Sequence, residues 1–241
     1  MDRIAMILYA IPAILFSLSF HEMAHAYISY RLGDPTAKRL GRLTLNPLKH
    51  LDPLGTLMLV VSMYSGFGFG WAKPVPIDPT YYRNYKKGTV MVSLAGPASN
   101  LLLAFIFSFP MAAIASKSGL PYNVIYDSRY MPYLIAFYGQ NFSLVSAVFI
   151  ISGIFYMINI GLAIFNLLPI PPLDGSKILM GVLPARIYFG LMRYERYIGL
   201  LFLALMILRP GILSTVTYPF RRAVELLFGL AGSLIIRHII T

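Results

Sequence analysis

Cysteine is absent from this 241-residue chain. Its absence excludes disulfides, thiolate metal ligands and a cysteine nucleophile. Charge is scarce as well. Asp, Glu, Lys and Arg together make up 12% of the residues, about half the share of a typical soluble domain. Acidic residues number nine and histidines four, so any metal site must draw on few ligands. Long polar stretches are also missing; the longest run to roughly 20–30 residues, too short for a separate soluble domain. What remains is apolar, with 58% hydrophobic residues. Several apolar runs exceed the about 20 residues that a helix needs to cross a bilayer core. The expected class is an all-α polytopic membrane protein. Its net charge of +11 then belongs to loops at the membrane surface, not to a nucleic-acid interface.

Against that apolar background, His21-Glu22-Met23-Ala24-His25 stands out. It lies inside an apolar segment running from Ile4 to about Tyr30. An ionised carboxylate near a bilayer centre costs roughly 2.5–3.5 kcal/mol on insertion scales, so its presence needs a compensating partner. Two histidines four apart share one helix face. That spacing lets both imidazoles reach one Zn²⁺, with Glu22 beside a water. The bland alternative is a hydrogen-bonded polar cluster at a helix contact. A cleaved signal peptide is not expected here, because the apolar stretch is too long and carries His21, Glu22 and His25.

Along the chain, spans are expected at about 4–31, 89–115 and 143–168. Pro12 is a candidate kink in the first. The apolar stretches 187–208 and 212–236 are interrupted by Arg193, Glu195, Arg196, Arg209, Arg221 and Arg222. About five transmembrane helices (four to six) result. Residues 54–66 are apolar but short for a span, and they run into the Gly/aromatic alternation 66–71 and Lys73-Pro74-Val75-Pro76. That pattern opposes helix and points to a re-entrant extended or β segment near 54–77. The chain is expected to be one membrane-embedded domain over 1–241, with a catalytic core at about 4–180 and C-terminal apolar helices at about 187–240. Basic residues cluster in 31–53, 67–88 and 174–196, while 116–142 holds only Lys117 and Arg129. If 54–66 does not cross, the positive-inside rule turns the N-terminus outward and puts His21 and His25 in the cytoplasmic half of the first span.

A hydrolytic zinc site takes three protein ligands and leaves one position for water. His50 lies in the first basic loop and His238 near the C-terminus, while Glu195 and Glu225 stand among arginines, where ion pairs or solvated faces are the plain reading. Asp174 follows the third span in Asn166-Leu167-Leu168-Pro169-Ile170-Pro171-Pro172-Leu173-Asp174-Gly175. Its prolines forbid regular helix and leave rigid backbone. The alternative for Asp174 is a helix N-cap.

Three motifs in order carry a resemblance: His21-Glu22-x-x-His25, then Gly96-Pro97-Ala98-Ser99-Asn100, then Asn166-x-x-Pro169-x-x-Pro172-x-Asp174-Gly175. Over about residues 4–180 the chain resembles the site-2 proteases, intramembrane zinc metalloproteases. The stretches Gly33-Asp34-Pro35-Thr36 and Trp71-Ala72-Lys73-Pro74-Val75-Pro76 are similar to the small prokaryotic members, and no PDZ or CBS domain is expected. The resemblance implies one Zn²⁺ per chain held by His21, His25 and Asp174, with Glu22 as catalytic acid/base. It also implies cleavage of a transmembrane protein substrate in or near its span, in a prokaryotic plasma membrane, with the site reached from the cytoplasm.

Asn166 has two readings, an oxyanion or substrate contact and a helix–helix hydrogen bond. Asn100 reads as a packing residue that bonds a neighbour. The second imidazole nitrogens of His21 and His25 require acceptors that the sequence does not identify. Residues 66–76 are the candidate edge for holding an unwound substrate by β-addition. The competing functions are a proton or ion transporter using the intramembrane His/Glu cluster, a membrane protease with Glu as third ligand, and a catalytically inactive homologue. A transporter would be expected to show two related halves, and no internal repeat is present.

Overall fold

A computed structural model describes residues 3–64, 70–140 and 143–240. Among these residues the fold is wholly helical, without a named strand. The elements are α1 (Arg3–Arg31), α2 (Thr36–Arg39), α3 (Pro53–Tyr64), α4 (Tyr85–Ser116), α5 (Tyr122–Ile125) and α6 (Met131–Tyr138), followed by α7 (Leu144–Leu167), α8 (Asp174–Val182), α9 (Ala185–Met192), α10 (Glu195–Leu208) and α11 (Pro210–Ile240). Short 3₁₀ turns occupy Pro47–Lys49 and Pro79–Tyr81.

Three helices are long and apolar enough to cross a membrane: Ile7–Arg31 within α1, α4 and α7. The count rises to four if the bent pair α10 and α11 acts as one span. The chain is therefore a multi-pass membrane protein, and the three to four candidate spans among its described residues lie at or below the lower bound of the expected four to six. The reason lies in α10, whose 14 residues reach about 21 Å at 1.5 Å each, short of the roughly 30 Å core.

The extended segment expected near 54–77 is corrected in its first half. Residues 53–64 form α3, and the Gly/aromatic run at 66–69 lies outside the described residues. Asp52 caps α3, its Oδ1 accepting from the Gly55 N–H at 2.8 Å. Twelve apolar residues give a helix of about 18 Å, too short to cross. Extended backbone does occur at 70–78, but it is not a sheet: it makes one isolated antiparallel bridge, Leu51 to Ala72.

Helix ends follow local chemistry. After α1, Gly33 takes φ +106° and the Asp34 N–H reaches the Ser29 carbonyl at 3.1 Å. This six-to-one bond is a Schellman stop, which favours glycine at the left-handed position. Asn84 caps α4 through a 2.9 Å bond from the Lys87 N–H. Helix α7 stops at Leu167, ahead of Pro169, because proline disfavours helix at the residue before it.

The chain divides into two compact units, each described by itself. The first comprises Met1–Ser17, Leu101–Gly161 and Thr217–Thr241. Its interior is aromatic: Phe107 stacks on Phe155 with centroids 4.1 Å apart, and Phe105 meets Phe228 at 5.3 Å. Buried Asn159 donates to Ser17 Oγ at 2.8 Å, tying α7 to α1. Asp127, on the segment after α5, accepts from Arg129 at 2.6 Å and from Arg222 of α11 at 3.2 Å. Glu225 accepts from the Ser128 N–H at 3.0 Å. The acid at 225 thus serves an ion-paired network on α11, with Arg222 Nη1 3.8 Å away. The second unit, Leu18–Asn100 and Leu162–Val216, holds His21, Glu22 and His25 of α1, Asn100 of α4 and Asp174 of α8.

Candidate metal centre

The C-terminal half of α1 carries His21, Glu22 and His25. One helical turn separates His21 and His25, and their rings meet edge-to-face with centroids 4.6 Å apart. Helix α8 supplies the third group. Asp174 is its first residue, but its carboxylate does not cap the helix: the N-cap position is Leu173, and no side chain caps there. Instead Asp174 Oδ2 lies 3.1 Å from His21 Nε2 and 3.1 Å from His25 Nε2, while the two Nε2 atoms are 3.0 Å apart. All three residues are buried. Gly175 lets α8 start this close to the end of α7, since a Cβ there would fall 2.3 Å from the carbonyls of Leu167 and Leu168.

The outer ring nitrogens are both occupied. His21 Nδ1 donates to Asn100 Oδ1 at 2.6 Å, and His25 Nδ1 donates to the Val92 carbonyl at 2.6 Å. A neutral imidazole carries a single N–H. With both spent on α4, the two Nε2 atoms present lone pairs to each other and to a carboxylate oxygen. Three electron-rich atoms in a buried site repel unless a cation or protons sit among them. A zinc ion at about 2.0–2.1 Å from each would space tetrahedral ligand atoms by roughly 3.4 Å, close to the observed 3.0–3.1 Å. The space beside the nitrogens is also kept clear: a Cβ on Gly96 would lie 2.3 Å from His25 Nε2 and 2.6 Å from His21 Nε2. The residues fit a two-nitrogen, one-oxygen metal site. Among the described residues this is the group of His and acidic side chains placed to hold an ion.

Glu22 is half-buried, and its Oε2 accepts from the Val75 N–H at 2.8 Å. The segment 70–78 that supplies this donor is fastened on several sides. The Lys73 N–H reaches the His50 carbonyl at 2.8 Å, and the Arg42 guanidinium holds the Lys73 carbonyl at 2.7 Å. The Asp78 N–H bonds Asp34 at 2.9 Å. The Val75 side chain packs with Ala26 and Ala37 in a small core that Leu43 and Ile77 extend.

The other sequence candidates fall elsewhere. His50 is buried, but its Nε2 donates to the Thr44 carbonyl at 2.8 Å, and it is not among the grouped ligands. Glu195 is exposed in the first turn of α10. Of the His238 side chain nothing is described. Asn166 donates to the Leu162 carbonyl of its own helix at 3.0 Å. Helix α7 ends at Leu167, so no continuous helix joins Asn166 to Asp174. The asparagine that meets the site is Asn100, for which the sequence suggested packing. Its signal was register: Val92, Gly96 and Asn100 recur every four residues, so one stripe of α4 faces both histidines.

Fold and site together define a multi-pass helical protein with a buried His-His-Asp group beside a glutamate. Comparison with known proteins gives the family: the model of Peptidase family M50 matches residues 9–208, and the chain belongs to that family. It is 38% identical over 218 residues to the Bacillus subtilis (strain 168) protein named "Putative zinc metalloprotease YwhC", covering 89% of this chain and 86% of that one. It is 30% identical over 175 residues to the Mycolicibacterium smegmatis protein named "Putative zinc metalloprotease Rip2", covering 73% of this chain and 57% of that one. The Mycobacterium tuberculosis (strain H37Rv) protein of the same name is 28% identical over 220 residues, 90% of this chain and 72% of that one. No solved structure matches the chain significantly.

Proposed function

We propose that the protein is a zinc-dependent intramembrane endopeptidase that hydrolyses a peptide bond in or near the span of a membrane-protein substrate. The observation that carries this is the convergence of His21 Nε2, His25 Nε2 and Asp174 Oδ2 in one buried group, with Glu22 on the same helix between the two histidines. His21, His25 and Asp174 hold one zinc ion; Glu22 is the acid/base. Zinc bound there supplies Lewis acidity toward water and the scissile carbonyl. Asn100 and the Val92 carbonyl fix the histidine tautomers, so that Nε2 of each ring is free to ligate. Glu22 takes one proton from water as the water oxygen adds to the carbonyl carbon. It returns that proton to the leaving nitrogen as the C–N bond breaks, leaving a carboxylic acid and an amine.

In this reading the N-terminus faces outward and the basic segments 31–53, 67–88 and 174–196 face the cytoplasm. His21 lies ten residues before Arg31, roughly 15 Å in from the helix end. The site is then inside the bilayer and wetted from the cytoplasm, and products should map to the cytoplasmic half of the substrate span.

The test is Glu22→Gln. The amide preserves shape but cannot accept the proton, so the variant should bind zinc at one equivalent and lose cleavage of a transmembrane substrate. Wild-type turnover by Glu22→Gln would remove the residue from the mechanism. A zinc-replete wild type that transports protons in vesicles and cleaves nothing would favour the ion-relay reading.

A further inference from the structure

The glutamate assigned as acid/base is not free: its Oε2 is held by the Val75 N–H at 2.8 Å. Pro74 and Pro76 flank Val75, and proline has no N–H. Between 74 and 76, therefore, the backbone offers one donor, and it points at Glu22. The donor is on a fixed support. Arg42 grips the carbonyl of Lys73, His50 holds its N–H, and Asp34 holds the N–H of Asp78. The Val75 side chain is itself buried against Ala26 and Ala37. Glu22, by contrast, is half-buried on a flexible side chain. When one bond must yield, the carboxylate can swing and the amide cannot.

An unwound substrate brings its own acceptors. A peptide strand laid over the ligands presents backbone carbonyls that have lost their helical partners and need donors. The geometry points to an exchange: a backbone carbonyl of the unwound substrate takes the Val75 N–H and displaces Glu22, so that seating the strand releases the base. This rests on the proteolytic reading above and adds two things to it. Val75 is a positioning residue whose single N–H sets the register of the strand. In the resting protein the same N–H keeps Glu22 engaged, so the base is released where a peptide backbone is in place.

The test is amide hydrogen exchange in the full-length, zinc-loaded protein in detergent micelles, comparing wild type with Glu22→Ala. A hydrogen bond to a charged group is worth enough that its loss should speed exchange at Val75 by about tenfold or more. Exchange at Lys73 and Asp78 should stay unchanged. Adding a saturating synthetic transmembrane peptide of Leu and Ala with a central Gly-Gly pair to Glu22→Ala should restore protection at Val75. Equal loosening of all three amides, or no restored protection with the peptide bound, would overturn the exchange. This readout needs no turnover, so it is separate from proteolysis. A second arm does use cleavage. Val75→Pro deletes the N–H and should raise KM, lower kcat and scatter the cut sites while zinc content holds. A single wild-type cut at wild-type kcat/KM by Val75→Pro would also overturn the exchange. A wild type that cleaves nothing would count against the protease reading alone, leaving the exchange result to stand.

Discussion

Asn100 Oδ1 accepts the Nδ1–H of His21 at 2.6 Å, across 79 residues of sequence. Asn100 is fully buried on α4, so the bond is shielded from water and fixes both the tautomer and the tilt of the imidazole. A residue that packs and a residue that prepares a ligand are here the same one.

Replacing Asn100 with Ala should weaken zinc binding by about 10–100-fold, the usual cost of losing a partner of a metal-bound histidine. Asn100→Asp keeps an acceptor and should restore much of the affinity. Competition with a chromogenic chelator measures both. Equal affinities for wild type and Asn100→Ala would reduce this contact to packing.

At Gly96 the expectation reverses an ordinary rule. Alanine in a helix interior normally adds roughly 0.5–1 kcal/mol of stability over glycine. Here the added Cβ would sit 2.3 Å from His25 Nε2 and 2.5 Å from His21 Cε1. Gly96→Ala should therefore fold as a metal-free protein with little or no zinc by elemental analysis. Full zinc occupancy in this variant would show that the imidazoles can be moved at no cost.

Asp174→Ala separates ligand from helix start. If the carboxylate mattered only to α8, its loss would cost about 1 kcal/mol and leave the metal in place. As a third ligand, its removal should abolish both stoichiometric zinc and cleavage. His50→Ala is the matched control: it should retain zinc, with some loss of stability, since His50 bonds the Thr44 carbonyl. The opposite pattern in the two variants would exchange their roles.

Acid should loosen the segment between α4 and α7. The Arg129 hydrogen bonds hold the Asp127 carboxyl below the ordinary carboxylate range, against the opposing effect of burial, and Arg222 adds to the lowering. A lowered folded pKa gives stability that is complete above the unfolded value of about 3.9. That stability is lost as pH falls through the folded value. Thermal melts of wild type and Asp127→Asn should thus differ at pH 7, with the gap beginning to narrow only below the unfolded value of about 3.9. A gap that stays constant with pH would show that Asp127 acts without its charge.

The spans of α1, α4 and α7 were legible because each is a long apolar run with few charges. His21, Glu22 and His25 were legible because charge inside such a run needs a reason. Helix α3 was not, since a dozen apolar residues beside Gly-rich sequence carry no period that separates strand from helix. Asn166 stayed open between two readings, because local sequence does not say whether its amide turns to its own helix, as it does at 3.0 Å from the Leu162 carbonyl, or to a substrate. Asn100 showed only a register with Val92 and Gly96, and Val75 showed nothing but its flanking prolines. Their roles are an oxygen and an N–H placed by tertiary contacts, and a backbone donor leaves no mark in a sequence except the prolines around it. The Asp127–Arg222 pairing, 95 residues apart, likewise has no local pattern.

The Leu51–Ala72 bridge has a consequence for how such chains diverge. It closes the neck of an arm that holds α3, and the Lys73-to-His50 bond reinforces that closure. Behind a closed neck, added length costs little: each doubling of a flexible loop adds about 0.6 kcal/mol of closure entropy. Changes of length behind that neck should therefore cost less than the same changes near Val75 or Asp34, whose bonds hold the segment beside Glu22. Homologues should vary most in size at this arm.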